Sequence, residues 1–303
     1  MNRCISCQAS SIRLVGKMPV SNNFAGITLS TPLKLVNLYE CKDCCLWFRY
    51  PSLSGKERDI LYTQVAEDKW SKYDAEREDW KIASNWIHEL PLKSKVLDVG
   101  CFDGQFLKYL GSGYDRFGVE INNKASQHAI EKGINIISNN FADLQTLSDK
   151  FDVVMAMDVI EHAKDPLIFL GYLANKVCSG GRIIISTGNT NAWPWRFMKS
   201  KYYYCNIGEH ISFINPQWLD KAAKHYGLKI SQVVRFSYYK SGYLRRINDL
   251  CKNLLYIISP NTIACLRQKG FGKNDVQGCL EQTYTPPMWI SAKDHLICLL
   301  EKP

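Results

Sequence analysis

At 303 residues, with 46% hydrophobic and 22% charged side chains, the chain is long enough to bury a large core and too apolar to be wholly disordered. No stretch has the length and apolarity of a membrane span, and Met1 to Ser10 carry cysteines and polar residues where a secretory leader needs an apolar run. The net charge of +9 favours anionic partners such as nucleic acid, nucleotide-linked substrates or a membrane surface, without choosing among them. The expected location is the cytoplasm. Twelve cysteines are scattered along the chain, several inside helix or strand patterns, which argues for reduced thiols and a metal site over a secreted disulfide framework.

The first elements are two Cys-x-x-Cys pairs, Cys4-Ile5-Ser6-Cys7 and Cys41-Lys42-Asp43-Cys44, separated by a short strand-like stretch, Leu33 to Tyr39. Each pair can present two thiolates from one tight turn, and four sulfurs complete a structural zinc shell. Little apolar core exists here without a metal, so zinc would supply much of the folding energy of residues 1–53. Cys45 is a competing ligand, and the alternative is two redox or merely buried pairs. A closed four-thiolate shell leaves no position for water, so this zinc is expected to build structure or a binding surface. Residues 54–92 read as charged connecting helices, in which Leu61, Trp70, Tyr73, Trp80, Trp86 and Ile87 pack on the next domain or line a substrate mouth.

From residue 93 the pattern changes. Lys95 to Gly100 is the apolar run of a buried parallel strand, followed by a turn through Gly104 and a helix over 105–110. Gly100 permits a sharp turn and close approach of a ligand, and Gly104 permits tight packing at the helix start. Arg116 to Asn122 reads as a second strand ending in an acid, Glu120, placed to accept ribose hydroxyl protons. A helix over 123–132, a strand over 134–138 and the strand Phe151 to Met157 follow. Pro166 opens a further helix, and Arg182 to Ser186 is another strand. This alternation predicts a doubly wound, mostly parallel sheet with its ligand crevice at the strands' carboxyl ends. A nicotinamide dehydrogenase would need a third glycine where Gln105, Phe106 and Leu107 stand.

Asp98-Val99-Gly100-Cys101-Phe102-Asp103-Gly104, Glu120 and the run from Asp158 to Pro166 resemble the successive motifs of class I S-adenosylmethionine-dependent methyltransferases. The resemblance covers residues 93–240 and the last strand. It implies a Rossmann-like methyltransferase sheet and a cofactor site of Asp98, Gly100, Phe102, Gly104 and Glu120. It also implies Asn140 and Phe141 flanking the adenine, with Met157 and Asp158 near the cofactor. Phe102 stands where that family has glycine.

Pro216 opens a helix closed by Gly227, Leu228 to Phe236 is a strand, and Asp294 to Leu300 looks like the reversed last strand of this class, so the catalytic domain is expected to occupy 93–303 with an insertion at 237–290. Arg245, Arg246, Lys252, Arg267, Lys269 and Lys273 lie there among apolar residues, as in an interfacial helix contacting the inner face of a membrane, a substrate lid, or an ordinary amphipathic cap. Pro260 limits any long helix. Between the fifth strand and Pro216, the loop Tyr202 to Phe213 holds Glu209-His210. A hydroxyl acceptor must lose a proton during methyl transfer, and His210 suits that task, with Glu209 orienting the acceptor or the imidazole. His162 is the rival base.

The cysteine module, Met18 to Phe24 and the Glu209-His210 pair resemble bacterial deoxysugar methyltransferases with an N-terminal four-cysteine zinc module. Those C-methyltransferases carry a further C-terminal domain. The expected reaction is therefore O-methylation of a sugar, nucleotide-sugar or glycan acceptor. An RNA methyltransferase and a non-catalytic cofactor-binding scaffold are the alternatives; the Asn-Pro-Pro-Tyr type of loop used on base amines is absent after the fourth strand, which weighs against nucleic acid as partner.

Overall fold

In a computed structural model, residues 3–21, 23–25, 27–31, 33–53, 77–238, 241–271 and 284–303 are described, with isolated positions between 54 and 76. Trp70 and Tyr73, Lys273 and most of the expected connecting helices lie outside the described residues. The chain forms two compact units. One comprises 67–187, 216–236 and 295–303; the other comprises 1–66, 188–215 and 237–294.

The first unit is built on seven strands: β6 (Lys95–Val99), β7 (Asp115–Val119), β8 (Asn135–Ser138), β9 (Phe151–Met157), β10 (Val177–Gly188), β12 (Lys229–Phe236) and β13 (His295–Glu301). Their order is β12-β13-β10-β9-β6-β7-β8. β6, β7, β8, β9 and β10 pair in parallel, while β13 lies between β10 and β12 and runs antiparallel to β12. This is the expected doubly wound sheet. Val96, Leu97 and Val99, Val153 to Ala156 and Ile183 to Ile185 are buried, because parallel strands flanked by crossover helices are covered on both faces. Edge strand β12 is mostly open to solvent.

The helices of this unit start where local chemistry dictates. The Asn122 side chain accepts from the backbone N–H groups of Lys124 and Ala125 at the start of α3 (Asn123–Glu131), and Asp165 caps α4 (Pro166–Lys176) with proline at its first turn. Helices α1 (Glu78–His88), α2 (Gln105–Leu110) and α6 (Pro216–His225) complete the unit. The fifth strand runs longer than expected, starting at Val177, because a bulge between Val177 and Arg182 absorbs the Ser179-Gly180-Gly181 stretch.

The second unit contains a four-stranded sheet in the order β1 (Ile12–Lys17), β4 (Asn37–Cys41), β5 (Trp47–Tyr50) and β11 (Ser212–Phe213), each pair antiparallel, beside the short hairpin β2 (Asn23–Phe24) and β3 (Ile27–Thr28). Helices α5 (Trp193–Met198), α7 (Tyr243–Ile258) and α8 (Pro260–Gln268) belong to it. Its grouping differs from the linear division expected from sequence: residues 188–215 and the insertion join the cysteine module. The cause is one aromatic core to which all three segments contribute, with Trp47 from the module, Trp195, Tyr202 and Phe213 from the middle segment, and Tyr256 and Trp289 from the insertion.

Candidate functional site

The carboxyl ends of β6 and β7 carry the first constellation. Gly100 has φ +83°, and a Cβ there would lie 2.6 Å from Val159 Cγ2, so only glycine fits. Phe102 itself adopts φ +49°, a left-handed conformation that glycine takes freely and a phenylalanine holds at a strain of about 1 kcal/mol. Gly104 (φ +73°) precedes α2, with Ala129 and Ile134 packed against its Cα.

Glu120 holds this turn together. One carboxylate oxygen accepts from the Phe102 N–H at 2.8 Å and the other from the Asn122 N–H at 2.8 Å, so the acid fixes the loop it faces. Burial pushes the Glu120 carboxyl above its ordinary range, against the pull of these N–H groups. Asp98, also buried, is pushed up to about 7 by burial and by the charge of Glu120, with Arg77 opposing. Two neighbouring acids drawn away from water at the carboxyl ends of adjacent strands suit a ligand that brings hydroxyl donors and positive charge; the ribose hydroxyls and the ammonium and sulfonium groups of S-adenosylmethionine supply both.

Asn140 and Phe141 stand at the end of β8. Asn140 accepts from the Ala142 N–H to start a short 3₁₀ turn over 141–145, and Phe141 meets Phe169 edge to face. Met157 ends β9. Asp158 follows it with φ +55° and pairs with Arg77 at 2.7 Å. Arg77 also grips Asp79 through two bonds and lies over the Trp80 ring. Arg77 is the residue that sequence reasoning missed. It lies in the charged run before α1, where nothing but its position one turn ahead of Trp80 could have marked it. His162 lies on a short 3₁₀ turn over 160–162 of this same unit, beside the buried Glu161, which accepts from the Thr187 hydroxyl at 2.9 Å.

Glu209 and His210 belong to the other unit. Their loop is tied to the N-terminal strands in three ways. β11 pairs with β5, the Glu209 carboxylate accepts from the Ala25 N–H at 2.8 Å, and the guanidinium of Arg49 donates to the carbonyls of Cys205, Ile207 and Gly208. Arg49 is fully buried, and burial draws its pKa down to about 10. His210 is buried with the Tyr204 ring 4.3 Å away, centroid to centroid. Glu209 thus holds the loop to the Ala25 backbone, and burial pushes its carboxyl above the ordinary range.

The four cysteines of the two pairs converge. Cys4 and Cys44 sulfurs lie 3.6 Å apart, as do those of Cys7 and Cys41, and all four fall within 4.8 Å of one another. The edge of a tetrahedron around zinc with Zn–S bonds of about 2.3 Å is about 3.8 Å, so the donor set and its spacing fit that ion. Backbone N–H groups of Ser6 and Cys44 point at the Cys4 and Cys41 sulfurs, the partners that negative thiolates require. Cys45 is outside the cluster. It adopts φ +67°, and its carbonyl accepts from the Asn215 side chain.

A family described as "Methyltransferase domain" matches residues 73–233, more than half of the chain. A ubiquinone biosynthesis O-methyltransferase of Coxiella burnetii is 28% identical over 229 residues, covering 69% of this chain and 94% of its own. Another, of Nitrosospira multiformis, is 30% identical over 158 residues, covering 47% of this chain and 66% of its own. A Galdieria sulphuraria protein described as a sarcosine dimethylglycine methyltransferase superposes with a TM-score of 0.50 at 13% identity, over 81% of this chain and 98% of that one, a likeness of fold alone. The Coxiella and Nitrosospira relatives are named for ubiquinone biosynthesis, not for the deoxysugars expected from the sequence. With the glycine turn, its two acids and the β8-β7-β6-β9-β10-β13-β12 strand arrangement in place, the chain belongs to this methyltransferase-domain family and is an S-adenosylmethionine-dependent methyltransferase.

Proposed function

We propose that the chain methylates a hydroxyl oxygen, with His210 as the base and Glu209 as the residue that positions its loop. The observation that carries this reading is the His210 loop: a buried imidazole against Tyr204, on backbone fixed by Arg49 and Glu209. The O-methyltransferase names of the relatives support oxygen as the acceptor atom. Methyl transfer needs an aligned acceptor and little else, because the sulfonium is a ready leaving group. The acceptor O–H proton passes to His210 and the oxygen lone pair forms the new O–CH₃ bond. The S–CH₃ bond breaks with its electron pair returning to sulfur, leaving neutral S-adenosylhomocysteine.

Two hydroxyl classes follow from different observations: an intermediate of ubiquinone biosynthesis, from the relatives' names, and a sugar or nucleotide-sugar, from the Glu209-His210 pair beside a four-cysteine module. In the same reading the cluster of Cys4, Cys7, Cys41 and Cys44 holds a structural zinc ion. Transfer of labelled methyl to dihydroxyaromatic compounds, nucleotide-sugars and RNA, run side by side, separates the acceptor classes. Label appearing on RNA nitrogen alone would sink the hydroxyl assignment. His210→Ala should abolish transfer and leave S-adenosylmethionine affinity intact; a parallel loss of both would make His210 structural.

A further inference from the structure

Helix α7 carries a second apolar stripe that does not face the core. An amphipathic helix on a globular protein turns its apolar stripe to the core, and residues 243–258 have such a stripe at spacings of three and four: Leu244, Ile247, Cys251, Leu254 and Ile258. These residues are exposed, Leu244 at 82% and Ile258 at 78%. The buried positions instead are Asp249 and Asn253, both at 0%, and Tyr256. Each of them is bonded: the Ser291 N–H donates to Asp249, the Asn253 amide donates to the Asp249 carbonyl one turn earlier in the helix, and the Tyr256 hydroxyl donates to the Tyr284 carbonyl. On α8, Arg267 is likewise buried and donates to the Thr285 carbonyl, while Leu266 faces out, followed by the exposed Phe271. The inward face therefore combines bonded polar groups with apolar side chains, since Leu250, Leu255, Tyr256 and Ile257 of α7 and Ile263 of α8 pack on the aromatic core, while the outward face is greasy as well, unlike that of an ordinary cap.

Charge selects the occupant. From 243 to 271 the sole acid is the buried Asp249, whereas Arg245, Arg246, Lys252, Arg267 and Lys269 are basic, and Arg246 and Lys269 are exposed. A second copy of this chain would bring the same cations face to face. An anionic lipid surface takes both the apolar side chains, between headgroups, and the cations, at the phosphates. We propose that the outward face of α7 and α8 is a docking surface for an anionic membrane interface, on which the helices lie flat. None of the described helices is long and apolar enough to cross a membrane, so the contact is peripheral.

The test is sedimentation of the full chain with vesicles of phosphatidylcholine, with and without roughly 30% phosphatidylglycerol, at two salt concentrations. The expected result is binding to the anionic vesicles alone, weakened by salt. Leu244→Ser with Ile258→Ser leaves the net charge unchanged and should lower vesicle affinity about tenfold without lowering thermal stability, since both side chains are exposed. Arg246→Gln with Lys269→Gln should lower it as well. Three results would overturn the proposal: no sedimentation with anionic vesicles, sedimentation unaffected by the two serine substitutions, or a dimer in light scattering that those substitutions dissolve.

Discussion

Cofactor affinity should depend on pH through Asp98. Its carboxyl is pushed up to about 7, by burial first and by the charge of Glu120 second, from an ordinary 3.8. In the ligand-free protein, the neutral form therefore predominates below about pH 7. A cationic ligand favours the ionised form, so binding below that pH must release the proton and lose affinity at about tenfold, or 1.4 kcal/mol, per pH unit. Between about pH 7 and pH 5 the loss is roughly 100-fold.

The stability of the ligand-free protein runs the other way. A carboxyl whose folded pKa is raised contributes stability that is fully present below its unfolded pKa and is lost as pH rises through the folded one. Asp98 alone thus removes on the order of 4 kcal/mol between about pH 4 and pH 7. Titration calorimetry in two buffers of different ionisation enthalpy would count the released protons. Asp98→Asn should flatten the profile, leaving only the share of Glu120, whose carboxyl is also raised by burial. An affinity constant from about pH 5 to pH 8, with no proton release, would refute the reasoning.

Gly100→Ala should impair both folding and cofactor binding, because its Cβ would meet Val159 Cγ2 at 2.6 Å and φ is +83°; a drop of about 2 kcal/mol in chemical denaturation is expected. Arg49→Met should cost about 3 kcal/mol or more by leaving the Cys205 and Gly208 carbonyls without their donor and taking one of two from Ile207, and Arg49→Lys should not rescue it, since an ammonium cannot reproduce the guanidinium fork; unfolding midpoints decide. One zinc ion per chain should be found by elemental analysis. Cys4→Ser or Cys44→Ser should release it and lower the melting temperature, while Cys45→Ser should do neither. Phe102→Gly should relieve the left-handed strain at that position and leave cofactor binding at least as tight, measured by calorimetry.

The sheet was legible in the sequence because each central parallel strand is buried on both faces and so reads as an unbroken apolar run, as in Val153-Val154-Met155-Ala156. The glycine turn and Glu120 were legible because the backbone conformation and the distal acid leave fixed marks. The second unit was not, because its aromatic core is assembled from Trp47, Trp195, Tyr202 and Trp289, and periodicity reports only local order. Arg77 was hidden for a similar reason: Asp158, the partner that ties it to the end of β9, stands 81 residues away in the chain. The α7 pattern was visible, but its facing was not. A helical stripe announces two faces, and only the aromatic core together with the partners supplied by 284–291 decides which one turns inward.

The anchorage of the Glu209-His210 loop has a consequence for how the protein opens. Its backbone is secured by β5, Arg49 and Ala25, all from the N-terminal segment, so its amide protons should exchange with solvent in step with the cysteine module and not with the parallel sheet. A chelator that loosens the four-cysteine cluster would then erase protection at residues 205–213 while leaving β6, β9 and β10 guarded. The N-terminal module would act as a latch on a loop about 200 residues away in the chain.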